Sequence, residues 1–267
     1  MVYDTQGAIL SVEQFKIVWG LCIEDRSVGE VRDEASLLIR WAATDLRYWN
    51  ALANFEAGAG IESLKATLGR AVRYLRARAE SGYLLMFEDL LAPEARAGLP
   101  RMAEAAGLSH ALSGCGMAGD ILPLAEEPTH PELAFRRVRN DADTMAFAEI
   151  YGRASDYPVE SAHAGFAGSK LWTDTMFAYL GLKDGQPVTA AATVRAGDCL
   201  YVIHVATLPD HHRRGYGEAV TRKALYEGAL ATGLRRATLH SPMRSVPVYE
   251  RIGLKATASI QVYGLTA

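Results

Sequence analysis

The stretch from Tyr201 to Glu218, Tyr-Val-Ile-His-Val-Ala-Thr-Leu-Pro-Asp-His-His-Arg-Arg-Gly-Tyr-Gly-Glu, limits what this chain can fold into more than any other. Residues 200–206 are nearly all apolar and rich in β-branched and aromatic types, which predicts a strand. Pro209 lacks a backbone donor and ends the pairing. A loop with two arginines and two glycines follows, and a long helix is expected after it. A strand feeding a basic, glycine-containing loop at a helix start suits an anion. Backbone N–H groups point outward there, the helix dipole adds partial positive charge, and glycine lets a ligand approach the backbone. The ligand this implies is a phosphate or pyrophosphate.

Three phosphate-binding templates compete. A P-loop needs Gly-Lys-Ser/Thr, and the sequence has no such triplet. A dinucleotide fingerprint fits Gly215 and Gly217, but Val220 stands where a third glycine or alanine belongs. The strand expected at Arg236–His240 also ends without an acid for a ribose, so this template ranks low. The third is the pyrophosphate loop of acyl-CoA-dependent N-acyltransferases. An ordinary strand-loop-helix connection with basic surface residues could produce the glycine pattern alone, so a second segment matters: Ser241-Pro-Met-Arg-Ser-Val-Pro-Val-Tyr249-Glu250-Arg251-Ile252-Gly253-Leu254.

On these two segments the chain resembles the GNAT acetyltransferase superfamily. The family's loop reads Gln/Arg-x-x-Gly-x-Gly/Ala, and this chain has His212-Arg213-Arg214-Gly215-Tyr216-Gly217. His212 departs from the pattern. Because the loop works mainly through backbone amides, binding is expected to be weakened rather than lost. The later segment is similar to the family's Tyr-Glu-Arg-Leu-Gly-Phe, with Leu254 in place of the phenylalanine. The resemblance covers roughly residues 200–255 and reaches more faintly back to about residue 133.

At 267 residues the chain is long enough for about two domains. A net charge of −3 argues against general nucleic-acid affinity. Cys22, Cys115 and Cys199 lie far apart without Cys-x-x-Cys spacing, so buried thiols in a reducing compartment are expected rather than a disulfide frame or a zinc site. No apolar run reaches ~18 residues, and the N-terminus lacks a basic region followed by an apolar core. The expectation is a cytoplasmic protein with no membrane segment and no metal.

In chain order, helices are expected at Val12–Asp25, Glu62–Ala79, Pro93–Ala106 (closed by Gly107), Asp141–Gly152, Pro158–Ala164, Tyr216–Thr232 (closed by Gly233) and Ser245–Arg251. Strands are expected at Ala35–Ala43, Tyr83–Phe87, Ala111–Gly119, Leu133–Arg139, Thr175–Leu182, Val188–Val194, Leu200–Ala206, Arg236–His240 and Ala256–Tyr263. Val220, Ala224, Gly228 and Ala231 share a face of small residues that lets their helix lie close on a sheet. Glu56-Ala-Gly-Ala-Gly-Ile is a loop, and Pro123–Pro131 is the best linker candidate. The fold class expected is α/β (α+β): a mixed, mostly antiparallel twisted sheet flanked by helices. Residues 129–267 would form a GNAT-like domain. Residues 1–128 would form a smaller α/β domain, and the strand-helix rhythm that Tyr83–Gly107 shares with Leu200–Gly233 suggests a degenerate GNAT copy. Its acidic loop, Glu88-Asp-Leu-Leu-Ala-Pro, would repel pyrophosphate.

The resemblance implies acetyl-CoA as cosubstrate and a small-molecule or peptide amine as acceptor; a homodimer is compatible with it. The backbone of Val205, Ala206 and Thr207 would pair with the pantetheine arm, and His212, Arg213, Arg214, Gly215, Tyr216, Gly217 and Glu218 would wrap the pyrophosphate. Tyr249 stands where the family protonates the departing thiolate. Tyrosine near pKa ~10 is a weaker acid than a thiol near ~8.5, so it should mainly hydrogen-bond the developing thiolate and deliver its proton late. His204, His240, Glu160 and His163 are candidates for the amine's base, and none is assigned. A non-catalytic acetyl-CoA-binding regulatory module is the alternative function; Tyr249 favours turnover.

Overall fold

The computed structural model describes residues 3–26, 28–121 and 126–266. Of the expected linker, residues 123–125 lie outside the described residues. Two compact units divide the chain. The first runs to Met117 and also takes in His240–Val246 and the C-terminal segment from Ala256; the second holds Ala118–Leu239 and Pro247–Lys255.

The first unit contains α1 (Thr5–Glu24), β1 (Glu30–Glu34), β2 (Leu37–Trp41), β3 (Asn50–Asn54), α2 (Ile61–Arg76), β4 (Tyr83–Phe87), α3 (Pro93–Ala106) and most of β5 (Leu108–Asp120). Asp4 caps α1 by accepting from the Gly7 amide, and Gly107 closes α3 in the left-handed region at φ 91°. The sequence suggested one strand at 35–43. It is instead the second arm of a hairpin with β1, whose charged Glu-Val-Arg-Asp-Glu carries no strand signal and is ordered by pairing along β2. Likewise β3, Asn-Ala-Leu-Ala-Asn, has no β-branched residue and is held by neighbours on both sides.

The sheet of this unit is ordered β1-β2-β3-β4-β11-β5, where β11 is Lys255–Leu265. Leu37, Ile39, Trp41 and Leu52 pack against α2 and α3. Leu38, Ala51 and Phe87 pack with Phe15 of α1. Burial on both faces explains why β2 is apolar except at Arg40, whose buried guanidinium pairs with Asp33 at 2.8 Å.

The second unit contains β6 (Ala134–Arg137), α4 (Asp141–Ala154), α5 (Val159–Phe166), a π-turn (Leu171–Thr175), β7 (Phe177–Lys183), β8 (Gln186–Ala196), β9 (Cys199–Thr207), α6 (Tyr216–Thr232), the start of β10 (Arg236–Pro242) and α7 (Val246–Glu250). Its strand order is β10-β9-β8-β7-β6, antiparallel except for β9 with β10. Val220 and Ala224 of α6 pack on Tyr179 and Ala191. At Gly228 an added Cβ would lie 2.9 Å from Thr193 Oγ1, so the helix approaches the sheet as the small-residue face predicts. Ala231 departs from that expectation and is exposed. Cys22, Cys115 and Cys199 are buried and form no disulfide.

The two units repeat one topology. Three antiparallel strands (β1-β2-β3, β7-β8-β9) end in a helix (α2, α6) that crosses to a parallel strand (β4, β10). The counterpart of the β9–α6–β10 crossover is therefore Asn50–Phe87. The match of Tyr83–Gly107 to Leu200–Gly233 suggested by sequence is displaced by one strand and one helix, because β3 is silent in the sequence.

Candidate functional site

On one edge β9 pairs with β8 along its whole length. On the other it pairs with β10 at Ala237–Leu200 and Thr238–Tyr201, and among the described residues the pairing does not extend to Leu239 and Val202. Residues 202–207 of β9 thus lie past the point where β10 pairing ends. Within this stretch the β8 register jumps from Ala192–Ile203 to Ala190–Ala206, so His204 and Val205 together oppose Ala191. His204 takes φ 52°, a left-handed conformation rare outside glycine. Alternation alone could not give its direction. The bulge sets the ring among Tyr151 (4.7 Å between centroids), Trp172 (5.4 Å) and Phe166 (5.7 Å), and burial pushes its pKa down to about 3. Burial lowers His240 to about 4, so both imidazoles are weak bases.

The loop after β9 folds back on the strand. His212 donates its Nε2–H to the Thr207 carbonyl at 2.8 Å, so the residue that departs from the family pattern pins the loop to the strand end. Arg213 has φ 59°, and Gly215, at φ 78°, is the N-cap of α6 with no side-chain cap. The first-turn amides of α6 therefore lack a capping side chain. Thr207 Oγ1 would lie 3.2 Å and Val205 Cγ1 3.9 Å from a Cβ at Gly217, a close cradle with little room for a side chain. Arg213 and Arg214 are exposed, while Tyr216 is buried with its hydroxyl donating to Glu132 Oε2 at 2.9 Å.

Glu218 faces away from the loop toward α7. Its carboxylate takes Arg222 at 3.0 Å and Arg251 at 2.7 Å. Burial alone would raise this carboxyl, but the hydrogen bonds from Arg251 and Arg222 outweigh it and hold it below the usual carboxylate range. Arg222 also donates to the Arg251 carbonyl at 2.6 Å, so two links tie the end of α7 to the first turns of α6. The links that Arg251 makes to Glu218 and Arg222 are not visible in the sequence because about 30 residues separate it from them. Tyr249 on α7 is 8% exposed, and burial raises its phenol well above the ordinary range. Its hydroxyl makes no hydrogen bond among the described residues.

The equivalent place in the first unit is filled by the chain itself. The loop from β3 to α2 contains Gly58, at φ 76°, and Gly60. Gly58 N–H, however, donates to Leu90 O at 2.7 Å, and Ala92 N–H to Ala59 O at 3.0 Å. The Asn54 side chain accepts from Phe87 N–H at 2.7 Å and donates to Phe87 O at 3.3 Å, closing the end of β3 onto β4.

A strand bulged and unpaired by β10 at its end, feeding an uncapped helix through a glycine turn, can hold an extended ligand ending in a phosphate. Residues 136–254 match the acetyltransferase (GNAT) family model. The chain carries a GNAT-family domain. Among solved structures, a GCN5-related N-acetyltransferase from Kribbella flavida is 19% identical, with a TM-score of 0.70 over 98% of this chain and 96% of its own. A functionally unknown conserved protein from Staphylococcus epidermidis is 12% identical, with a TM-score of 0.63 over 89% of this chain and 94% of its own. A tandem GNAT protein from the clavulanic acid biosynthesis pathway is 13% identical, with a TM-score of 0.53 over 75% of this chain and 68% of its own. At these identities what is shared is the fold, and the first two alignments span both units of this chain. No curated protein sequence matches the chain at a significant level. Among the described residues no helix is long and apolar enough to cross a membrane, and no His/Cys/Asp/Glu group is placed to hold a metal.

Proposed function

We propose that the chain is an N-acyltransferase that moves an acetyl group from acetyl-CoA to an amine of a small molecule or peptide, with residues 129–267 as the working domain and residues 1–128 as a degenerate copy. The observation that carries this reading is the edge of β9 beyond Tyr201, continuous with the uncapped start of α6. Acetyl-CoA supplies the thioester. The backbone of Val205, Ala206 and Thr207 pairs with its pantetheine arm by strand addition, and the backbone from His212 to Glu218 takes the pyrophosphate. A β9 amide faces the carbonyl oxygen on which charge develops as the amine attacks. Removing such a donor typically costs ~10²–10³ in rate. Tyr249 hydrogen-bonds the departing sulfur and delivers its proton late.

The test is release of free thiol from acetyl-CoA over a panel of amines, with calorimetry of acetyl-CoA on the full chain. Thiol release with at least one amine, and one acetyl-CoA per chain, is expected; a stoichiometry of two would mean that Asn54 and Leu90 do not close the first unit. Absence of any heat on titration would remove the proposal. Gly217→Leu fills the cradle beside Thr207 and Val205, and acetyl-CoA affinity is expected to fall about tenfold or more, since overpacking a close contact is costly. An unchanged dissociation constant would mean that the ligand does not use this turn.

A further inference from the structure

The glycine turn has a neighbour outside the matched family segment. His130 precedes residue 136, and its Nε2 lies 3.8 Å from where a Cβ on Gly215 would sit. One backbone contact and two ring contacts place His130. Leu133 N–H donates to the His130 carbonyl at 3.2 Å and closes a turn. The ring stands edge-on to Tyr216 at 5.2 Å between centroids. Its Nδ1 accepts the Glu132 amide at 3.2 Å.

The last contact decides the chemistry. An Nδ1 that accepts cannot carry the proton of a neutral ring, so the hydrogen is on Nε2 and the atom nearest the glycine turn is a donor. The nearby acid, Glu132, is already engaged by Lys183 at 3.1 Å and by the Tyr216 hydroxyl at 2.9 Å. Exposed Arg213 and Arg214 add positive charge on the same loop. A side-chain N–H thus stands beside backbone amides that already favour an anion.

We infer that His130 is a phosphate-binding residue of this site, donating Nε2–H to the pyrophosphate seated at the Gly215 turn. The inference rests on the acyl-CoA reading above and adds a ligand contact that the family segment does not contain.

The test is calorimetric titration of acetyl-CoA into the full-length wild type, His130→Ala and His130→Gln, with the melting temperature of each ligand-free protein measured alongside. His130→Ala should weaken acetyl-CoA about tenfold, the range for a lost hydrogen bond to a charged group, without lowering the ligand-free melting temperature. His130→Gln, which keeps an N–H donor, should recover part of the loss. A dissociation constant within twofold of wild type in His130→Ala overturns this inference and leaves the acyltransferase reading standing. Equal losses in both variants with a lowered melting temperature also overturn it, because His130 would then be a structural support for the turn. If the wild type binds no acetyl-CoA, both proposals fall.

Discussion

Replacing Tyr249 with Phe is expected to lower turnover by about 10²–10⁴-fold while acetyl-CoA affinity stays within twofold, the range for removing a positioned proton donor. The substitution deletes one oxygen from a buried ring and leaves the α7 backbone, whose Tyr249 carbonyl accepts from Ile252 at 3.0 Å and Leu254 at 3.1 Å. Because that hydroxyl has no hydrogen bond among the described residues, its loss breaks no internal contact. Burial raises the phenol above its ordinary value, so it remains protonated throughout neutral and mildly alkaline conditions. The rate should therefore show no decline from Tyr249 ionisation between about pH 7 and 9. Raised pKa also makes full transfer to a thiolate harder in the ground state, which is consistent with a hydrogen bond that tightens as the sulfur departs. Stopped-flow thiol release and equilibrium titration on the same preparation separate the two quantities. Unchanged turnover would remove Tyr249 from the chemistry.

Asp89→Ala is expected to destabilise the first unit by about 3–5 kcal/mol, the range for breaking a buried ion pair from one side. The Asp89 side chain is fully buried and ion-pairs with Arg96 at 2.7 Å. Oδ1 also accepts the Tyr3 amide at 3.1 Å, and Oδ2 the Ser259 amide at 2.6 Å. One carboxylate thus joins the chain before α1, the start of α3 and β11. Alanine would leave the Arg96 guanidinium and two amides without this partner. Urea unfolding should show the midpoint fall; a change under 1 kcal/mol would mean that water or relaxation replaces all three contacts. In sequence, Glu88-Asp-Leu-Leu-Ala-Pro looked like an acidic loop defined by what it would repel. In the fold it is a structural joint: Asp89 holds the unit together and Leu90 occupies the Gly58 amide.

Several elements were legible because their signals are local. Tyr83–Phe87, Pro93–Ala106 and Tyr216–Thr232 have the ends expected from their apolar runs, Pro93 and the closing glycines Gly107 and Gly233. Strands β1 and β3 were not legible, since charged or small residues adopt extended backbone there only because neighbouring strands supply the hydrogen bonds. Missing β3 moved the apparent internal repeat by one strand and one helix.

The same division holds for the candidate site. Its strand, glycine turn and helix are consecutive in the chain, and backbone conformation there follows from residue type over a few positions; the sequence by itself therefore determined that a glycine turn between residues 207 and 218 joins a strand to a helix. Tertiary structure decided the rest: where β9 parts from β10, the bulge that turns His204 into an aromatic cluster, the Arg222–Arg251–Glu218 links, and the closure of the first unit by Asn54 and Leu90. Each of these depends on pairing, burial or charge between residues far apart in the chain. Such contacts exist only after the core has formed, so residue type at one position could not specify them.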